Sequence, residues 1–222
     1  SRMMQKAKLT LAAAALITLL PMLEGCVPAV IGGAAVGVMS AHDRRSTGTQ
    51  TDDETTEWKA VQRVPDQYKS FAHVNFTSYN RRVLITGEAP NDEAKAAIEA
   101  ETRKLDGVRE VYNELGIGPA SSLGSRSTDS YIDSKVKARL VDSNQISANH
   151  IKVVTERAVV HLMGIVNARE AKVAVDVART TSGVKKVVNV LEVVADEDTR
   201  RLDNQSLGAR NPPPASAPVE SR

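Results

Sequence analysis

The sequence predicts an α+β protein made of two tandem copies of one αββαβ unit, each a small three-stranded mixed sheet packed on two helices. Internal duplication is the first observation behind this. Placing His73 on His150, an offset of 77, pairs Val74 with Ile151, Phe76 with Val153, Val83 with Val160, Ile85 with Leu162 and Gly87 with Gly164. The match continues through Glu93-Ala94-Lys95 on Glu170-Ala171-Lys172 and Ile98 on Val175. After a one-residue deletion, Gly107-Val108 falls on Gly183-Val184, and Val111, Asn113 and Leu115 fall on Val187, Asn189 and Leu191. Self-similarity at a fixed spacing marks a repeated supersecondary unit. The second observation is that the hydrophobic period switches from two to about 3.6 and back within each copy.

The second copy shows each element most clearly. Ile151, Val153 and Thr155 alternate with Lys152, Val154 and Glu156, as in a half-buried strand. Arg157-Ala158 marks a hairpin turn, Val159–Met163 the next strand, and Gly164 is expected to close it with its extra backbone freedom. Ala168–Thr181 places Ala171, Val175 and Ala178 on one helical face, Ser182-Gly183 stops the helix, and Val-rich 184–194 is the closing strand. A helix precedes each copy. Asp129–Asp142 carries Ile132, Val136 and Leu140 on one face with Asp129 as its N-cap, and Asp53–Val64, ending before Pro65, is its counterpart. Trp58 is expected to pack within the first copy.

These elements divide the chain into a signal segment at 1–25, a membrane-proximal tether at 26–50, a first domain at 51–119, a Gly/Ser-rich linker at 120–128, a second domain at 129–195 and a Pro-rich, disordered tail at 196–222. The signal segment has Lys6 and Lys8 before an apolar run, Leu9–Leu20, of 12 residues, short of the roughly 20 that span a bilayer. Gly25 directly before Cys26, the sole cysteine, resembles a bacterial lipoprotein signal, in which that cysteine receives the lipid. Several acyl chains make such an attachment stable. In this resemblance, Val27 and not Asp after the cysteine implies export to the outer membrane.

Composition narrows the function classes. Only 3% of the 222 residues are aromatic and the net charge is +2, which argues against a nucleic-acid binder. One Cys and four scattered His provide no disulfide framework, Cys-based zinc cluster or helical His pair, so no metal site and no cofactor are expected. No nucleophile, base and orienting group come together in sequence, so no catalytic residues are assigned. His73 and His150 are expected to be structural residues at strand starts, and Glu93, Glu170, Lys95 and Lys172 exposed helix charges.

Charge is distributed unevenly. Residues 53–117 carry nine Lys/Arg against twelve Asp/Glu, net −3, whereas 129–195 carry ten against seven, net +3. On the first helix of the second copy, Tyr131, Lys135 and Arg139 recur every four residues beside the apolar face, with Lys137 and Val141 on the opposite flank.

Asp43-Arg44-Arg45-Ser46-Thr47-Gly48-Thr49-Gln50, Val111-Tyr112-Asn113-Glu114, Val153-Val154-Thr155-Glu156, Leu162-Met163-Gly164, Arg169-Glu170-Ala171-Lys172 and Ser182-Gly183-Val184-Lys185 resemble the BON-domain family. Two such domains behind a lipoprotein signal are similar to dual-BON outer-membrane lipoproteins. The resemblance implies a non-enzymatic protein, anchored through lipidated Cys26 and facing the periplasm, that supports outer-membrane integrity. It also implies that the second domain contacts anionic phospholipid (phosphatidylglycerol or cardiolipin) through Tyr131 to Val141, with Tyr131, Lys135, Lys137, Arg139 and Val141 as contacts. The alternative is a scaffold for outer-membrane assembly or peptidoglycan-remodelling proteins, with the acidic first domain as the contact.

Overall fold

The computed structural model describes residues 43–210, so Cys26, the signal segment and the Pro-rich stretch 211–218 lie outside the described residues. In the first copy, α1 (Thr47–Arg63) leads to the hairpin β1 (His73–Tyr79) and β2 (Arg82–Ala89), then α2 (Asp92–Arg103), β3 (Glu110–Asn113) and β4 (Gly116–Ile117). The second copy runs α3 (Leu123–Asp142), β5 (Lys152–Glu156), β6 (Val159–Met163), β7 (Ile165–Val166), α4 (Ala168–Arg179), β8 (Lys186–Asn189) and β9 (Glu192–Val193), and α5 (Asp196–Arg210) follows. β1 pairs antiparallel with β2, and β3 and β4 run parallel to β2. The second copy repeats this pairing, with β5 antiparallel to β6 and β8 parallel to β6 in one sheet, and β7 parallel to β9 in a short two-stranded sheet that continues it. The α+β class and αββαβ order expected from the sequence are observed.

Each copy has its own core between sheet and helices. Val83 and Ile85 of β2 pack with Ala60, Ala94 and Ile98, and Val160 and Leu162 of β6 pack with Ile132, Val136, Leu140 and Ala174. The intervening strand residues point the other way, because side chains alternate across a sheet. Leu84 and Met163 therefore meet, with Tyr79, Ile165 and Val190, in a third cluster shared by the two domains. The two sheets thus sit back to back with helices outside, and the central strands are buried on both faces.

The hairpin turns explain an error in the expected helix start. Asn80-Arg81 and Arg157-Ala158 both have positive φ, the left-handed pair of a two-residue turn that normally selects Asn or Gly. Asp129 is not an N-cap. It is buried within α3 and accepts hydrogen bonds from the Arg157 and Ala158 amides at 2.8 Å each. Asp53 of α1 does the same for the Asn80 and Arg81 amides and also accepts from Ser78 Oγ. The true caps are Ser46 and Ser122, whose hydroxyls accept from Thr49 N and Ser125 N. Both helices therefore begin earlier than the apolar pattern indicated, and α3 occupies most of the expected linker.

Gly164 follows Met163, the last residue of β6, as expected, and β7 resumes at Ile165 beyond it. A Cβ on Gly164 would lie 2.2 Å from the His150 carbonyl oxygen, and one on Gly87 would lie 1.9 Å from that of His73, so each glycine admits a neighbouring backbone in mid-sheet. The helices after these glycines share N-caps Asn91 and Asn167 and equal lengths, an offset of 76. The one-residue deletion therefore falls beside Pro90, and Glu170 occupies the place of Ala94, not Glu93. Glu170 is consequently a buried residue and not an exposed helix charge.

Two segments expected to be featureless are structured. Asp196–Arg210 forms α5, with three acidic residues in its first turn, where the helix dipole favours them. Leu202 packs on the inter-domain cluster. Asp43-Arg44-Arg45, placed in the tether, folds against both domains. Arg44 is 5% exposed and bonds Glu170 Oε1 and Oε2, Asp203 Oδ1 and Oδ2 and the Ile165 carbonyl at 2.7–3.0 Å. Arg45 pairs with Asp43 and Asp53 and lies 4.1 Å above the Tyr79 ring.

Two stability predictions follow from these contacts. Asp129→Ala leaves the buried Ala158 amide without an acceptor and lowers stability by about 1–3 kcal/mol, read as an earlier urea midpoint at unchanged slope. Arg44→Ala strands the Glu170 carboxylate and costs about 3–5 kcal/mol, with amide exchange rising first in α5. Burial raises the Glu170 carboxyl, but hydrogen bonds from Arg44 and the Asn167 amide outweigh it and hold it below its ordinary value. The wild-type stabilisation is therefore full above the unfolded carboxyl pKa and is lost as pH falls through the lower folded one, whereas Arg44→Ala flattens that acid limb.

Candidate phospholipid-facing site

Helix α3 buries Ile132, Val136 and Leu140 and turns Tyr131, 64% exposed, and Val141, 57% exposed, to solvent. Between them stand the three predicted basic residues, and the structure separates their roles. Lys135 Nζ donates to the Ser182 carbonyl at 2.6 Å and to Ser182 Oγ at 2.9 Å, and lies 4.7 Å from the Tyr131 ring centroid. Arg139 donates to the Val177 carbonyl and Thr181 Oγ1 at 2.7 Å each and to Thr180 Oγ1 at 3.1 Å. Both side chains therefore reach the C-terminal end of α4, where carbonyls unpaired within the helix concentrate partial negative charge. Lys137 instead forms an ion pair with Asp133 at 2.6 Å.

This difference matters electrostatically. A carbonyl or hydroxyl fixes a cation without cancelling its unit charge, whereas a carboxylate cancels it. Lys135 and Arg139 are held in place as positive groups beside an exposed aromatic ring, and Lys137 is largely neutralised. Val141, one turn further on, lines a cavity of about 630 Å³ with Asn144, Gln145 and the Arg44–Glu170–Asp203 knot. No helix among the described residues is long and apolar enough to cross a membrane.

Trp58 does not pack inside the first domain. It is 66% exposed on α1, where Val61 is exposed as well; Val61 also lines a groove of about 290 Å³ with Val64, Ala72 and Val74, and Phe71 is a further exposed apolar residue of this domain.

A second cluster of titratable side chains was not apparent from sequence, because its members come from different domains. His73 Nδ1 lies 2.9 Å from Glu88 Oε2, and Glu156 of β5 faces the pair across the domain junction. Burial and the nearby Glu88 charge raise the Glu156 carboxyl above its ordinary value.

Known proteins give the arrangement its family. The BON domain matches residues 52–119 and 128–195. The chain is 43% identical over 172 residues to the outer membrane lipoprotein DolP of Haemophilus influenzae, covering 77% of this chain and 89% of that one. It is 36% identical to the 21 kDa hemolysin of Actinobacillus pleuropneumoniae, covering 68% and 79%. It is 33% identical to osmotically-inducible protein Y of Escherichia coli, covering 50% and 53%. With two family matches spanning more than half its length, the chain belongs to the BON-domain family, as an outer-membrane lipoprotein similar to DolP.

Proposed function

We propose that the chain, anchored through lipidated Cys26 and facing the periplasm, binds anionic phospholipid through α3 of its second domain and so helps maintain the outer membrane, without catalysing a reaction. The observation that carries this is the pair Lys135 and Arg139, fixed as uncancelled positive charges beside exposed Tyr131 in a domain of net charge +3. Tyr131 offers an apolar ring with a polar tip, which suits the headgroup layer. Val141 adds apolar contact at the other end of the helix, and Lys137 contributes less because Asp133 already pairs with it. Phosphatidylglycerol and cardiolipin supply the matching anionic surface.

A second reading draws on Trp58, Val61 and Phe71. Each is exposed on the acidic first domain, where large apolar side chains favour a protein contact, and the chain would then serve as a scaffold for outer-membrane assembly or peptidoglycan-remodelling factors.

Vesicle co-sedimentation of the chain carrying Cys26→Ser distinguishes the two readings. The lipid reading expects salt-sensitive binding to phosphatidylglycerol or cardiolipin vesicles and none to neutral ones. At about 1 kcal/mol per basic group, Lys135→Gln with Arg139→Gln weakens binding about 30-fold, whereas Lys137→Gln changes it much less. Absence of binding to anionic vesicles overturns the lipid reading. The scaffold reading expects a partner protein whose capture is lost in Trp58→Ala and unaffected by the double substitution in α3.

A further inference from the structure

We propose that the junction between the two BON domains is a binding site for a divalent transition cation of the Zn²⁺ type, held by His73 and Glu88 of the first domain and Glu156 of the second. The three side chains each bring one ligand atom to within 4.8 Å of the others. Glu88 is 1% exposed; its Oε2 contacts His73 Nδ1, but its Oε1 receives no hydrogen bond, the nearest cation being Arg157 Nε at 3.8 Å. A buried carboxylate oxygen left in that state is costly, and a metal ion supplies the missing partner. Glu156 is the complement from the other side: its carboxylate has no hydrogen bond or ion pair in the structure. Two carboxylates facing each other across a domain boundary repel unless a cation or a shared proton lies between them.

Access and donor chemistry agree with a metal. His73 and Glu156 line a cavity of about 390 Å³ together with Asn75, Ser130, Ser134 and Thr155, so an ion can enter with water still bound. One imidazole and two carboxylates suit Zn²⁺ or Mn²⁺; the imidazole makes the set a poor match to Ca²⁺ or Mg²⁺, and the absence of sulfur among the three ligands to Cu⁺. Three protein ligands leave a coordination position to water. Bonds of about 2.0–2.2 Å require the three atoms to draw closer, and half-buried Glu156, bonded to nothing, is the group that moves.

The fold does not demand this cluster. The counterpart of Glu88 in the second copy is Ile165, which lies in the apolar cluster, and the counterpart of Glu156 in the first copy is Tyr79. The acidic pair therefore exists once, where the copies have diverged to face each other. A cation there joins the domains through ligands from both.

The test is Zn²⁺ titration by calorimetry of the full chain in detergent micelles, with thermal unfolding recorded alongside. One equivalent is expected to bind and to raise the unfolding temperature. His73→Asn and Glu156→Gln, checked for native circular dichroism, should each weaken binding by more than the about 10–100-fold typical of losing an outer-shell partner and remove the thermal shift. Glu93→Gln, an exposed carboxylate of α2, should change neither. Failure of both Zn²⁺ and Mn²⁺ to bind overturns the proposal, as does binding that survives both substitutions, which would place the metal elsewhere on the chain.

Discussion

The buried guanidinium of Arg44 is the contact on which the arrangement of this chain turns. Arginine has five N–H donors and cannot shed its charge, so a buried one is tolerated only when every donor is met and a counter-charge is at hand. Five hydrogen bonds do this: two to Glu170, two to Asp203 and one to the Ile165 carbonyl. Their partners come from α4, α5 and β7, all distant in sequence from Arg44. The segment entering from the N-terminal side is therefore fastened to the second domain before α1 of the first begins. Glu170 is also the N3 member of the capping box that starts α4. One side chain thus links the start of a helix, the sheet beside it and the C-terminal helix.

That fastening matters because each domain shares part of its apolar surface with the other. A unit of roughly 65 residues buries a modest core, and here each sheet also presents an apolar outer face. Leu84 and Met163 cover one another only when the sheets are paired. Polar contacts ring this patch: Asn80 with Glu192 at 2.8 Å, Lys152 with Glu57 at 3.6 Å and Arg109 with Glu192 at 3.6 Å. Such rim pairs are weak individually and serve mainly to fix register. The apolar centre supplies the association, and the Arg44 knot with Leu202 of α5 closes one side of it.

Most of the fold was legible in the sequence because apolar periodicity and a fixed repeat offset report directly on sheet and helix faces. What escaped was structure held by polar atoms. Leu123–Thr128 has the Ser and Gly content of a linker, yet Ser122 caps it and Thr128 and Ser130 satisfy their hydroxyls on carbonyls four residues back. Helix α5 buries Thr199 and sets Leu202 and Asp203 against the protein, a stripe with a single large apolar residue and so invisible to a hydrophobic pattern. A signal for the turn acceptors was nevertheless present. Ser46 and Ser122, Gly48 and Gly124, and Asp53 and Asp129 all repeat at an offset of 76. Extending the duplication toward the N-terminus would have identified both caps and both buried carboxylates. The candidate lipid residues were found as a charge pattern, but sequence alone could not show which of them keep their charge.

The duplication supplies an internal comparison for that last point. Lys135 and Arg139 of α3 correspond, at the offset of 76 shared by the helices, to Lys59 and Arg63 of α1. The basic positions are thus common to both copies and cannot by themselves distinguish the second domain. Their surroundings do. Val177 and Ser182, whose carbonyls receive Arg139 and Lys135, stand where the first copy has Glu101 and Asp106. Arg63 accordingly lies 3.7 Å from the Glu101 carboxylate, a neutralising partner, whereas Arg139 binds carbonyl and hydroxyl oxygens that leave its charge intact. Replacing two acidic positions by an apolar and a hydroxyl residue leaves Lys135 and Arg139 without the carboxylates that occupy these places in the first copy, and Lys137, where the first copy has Val61, is paired with Asp133. The same exchange leaves the first domain acidic, with Trp58 exposed beside it. Two copies of one fold thereby differ in the charge they present, which is the physical basis for the proposal that the second meets an anionic surface.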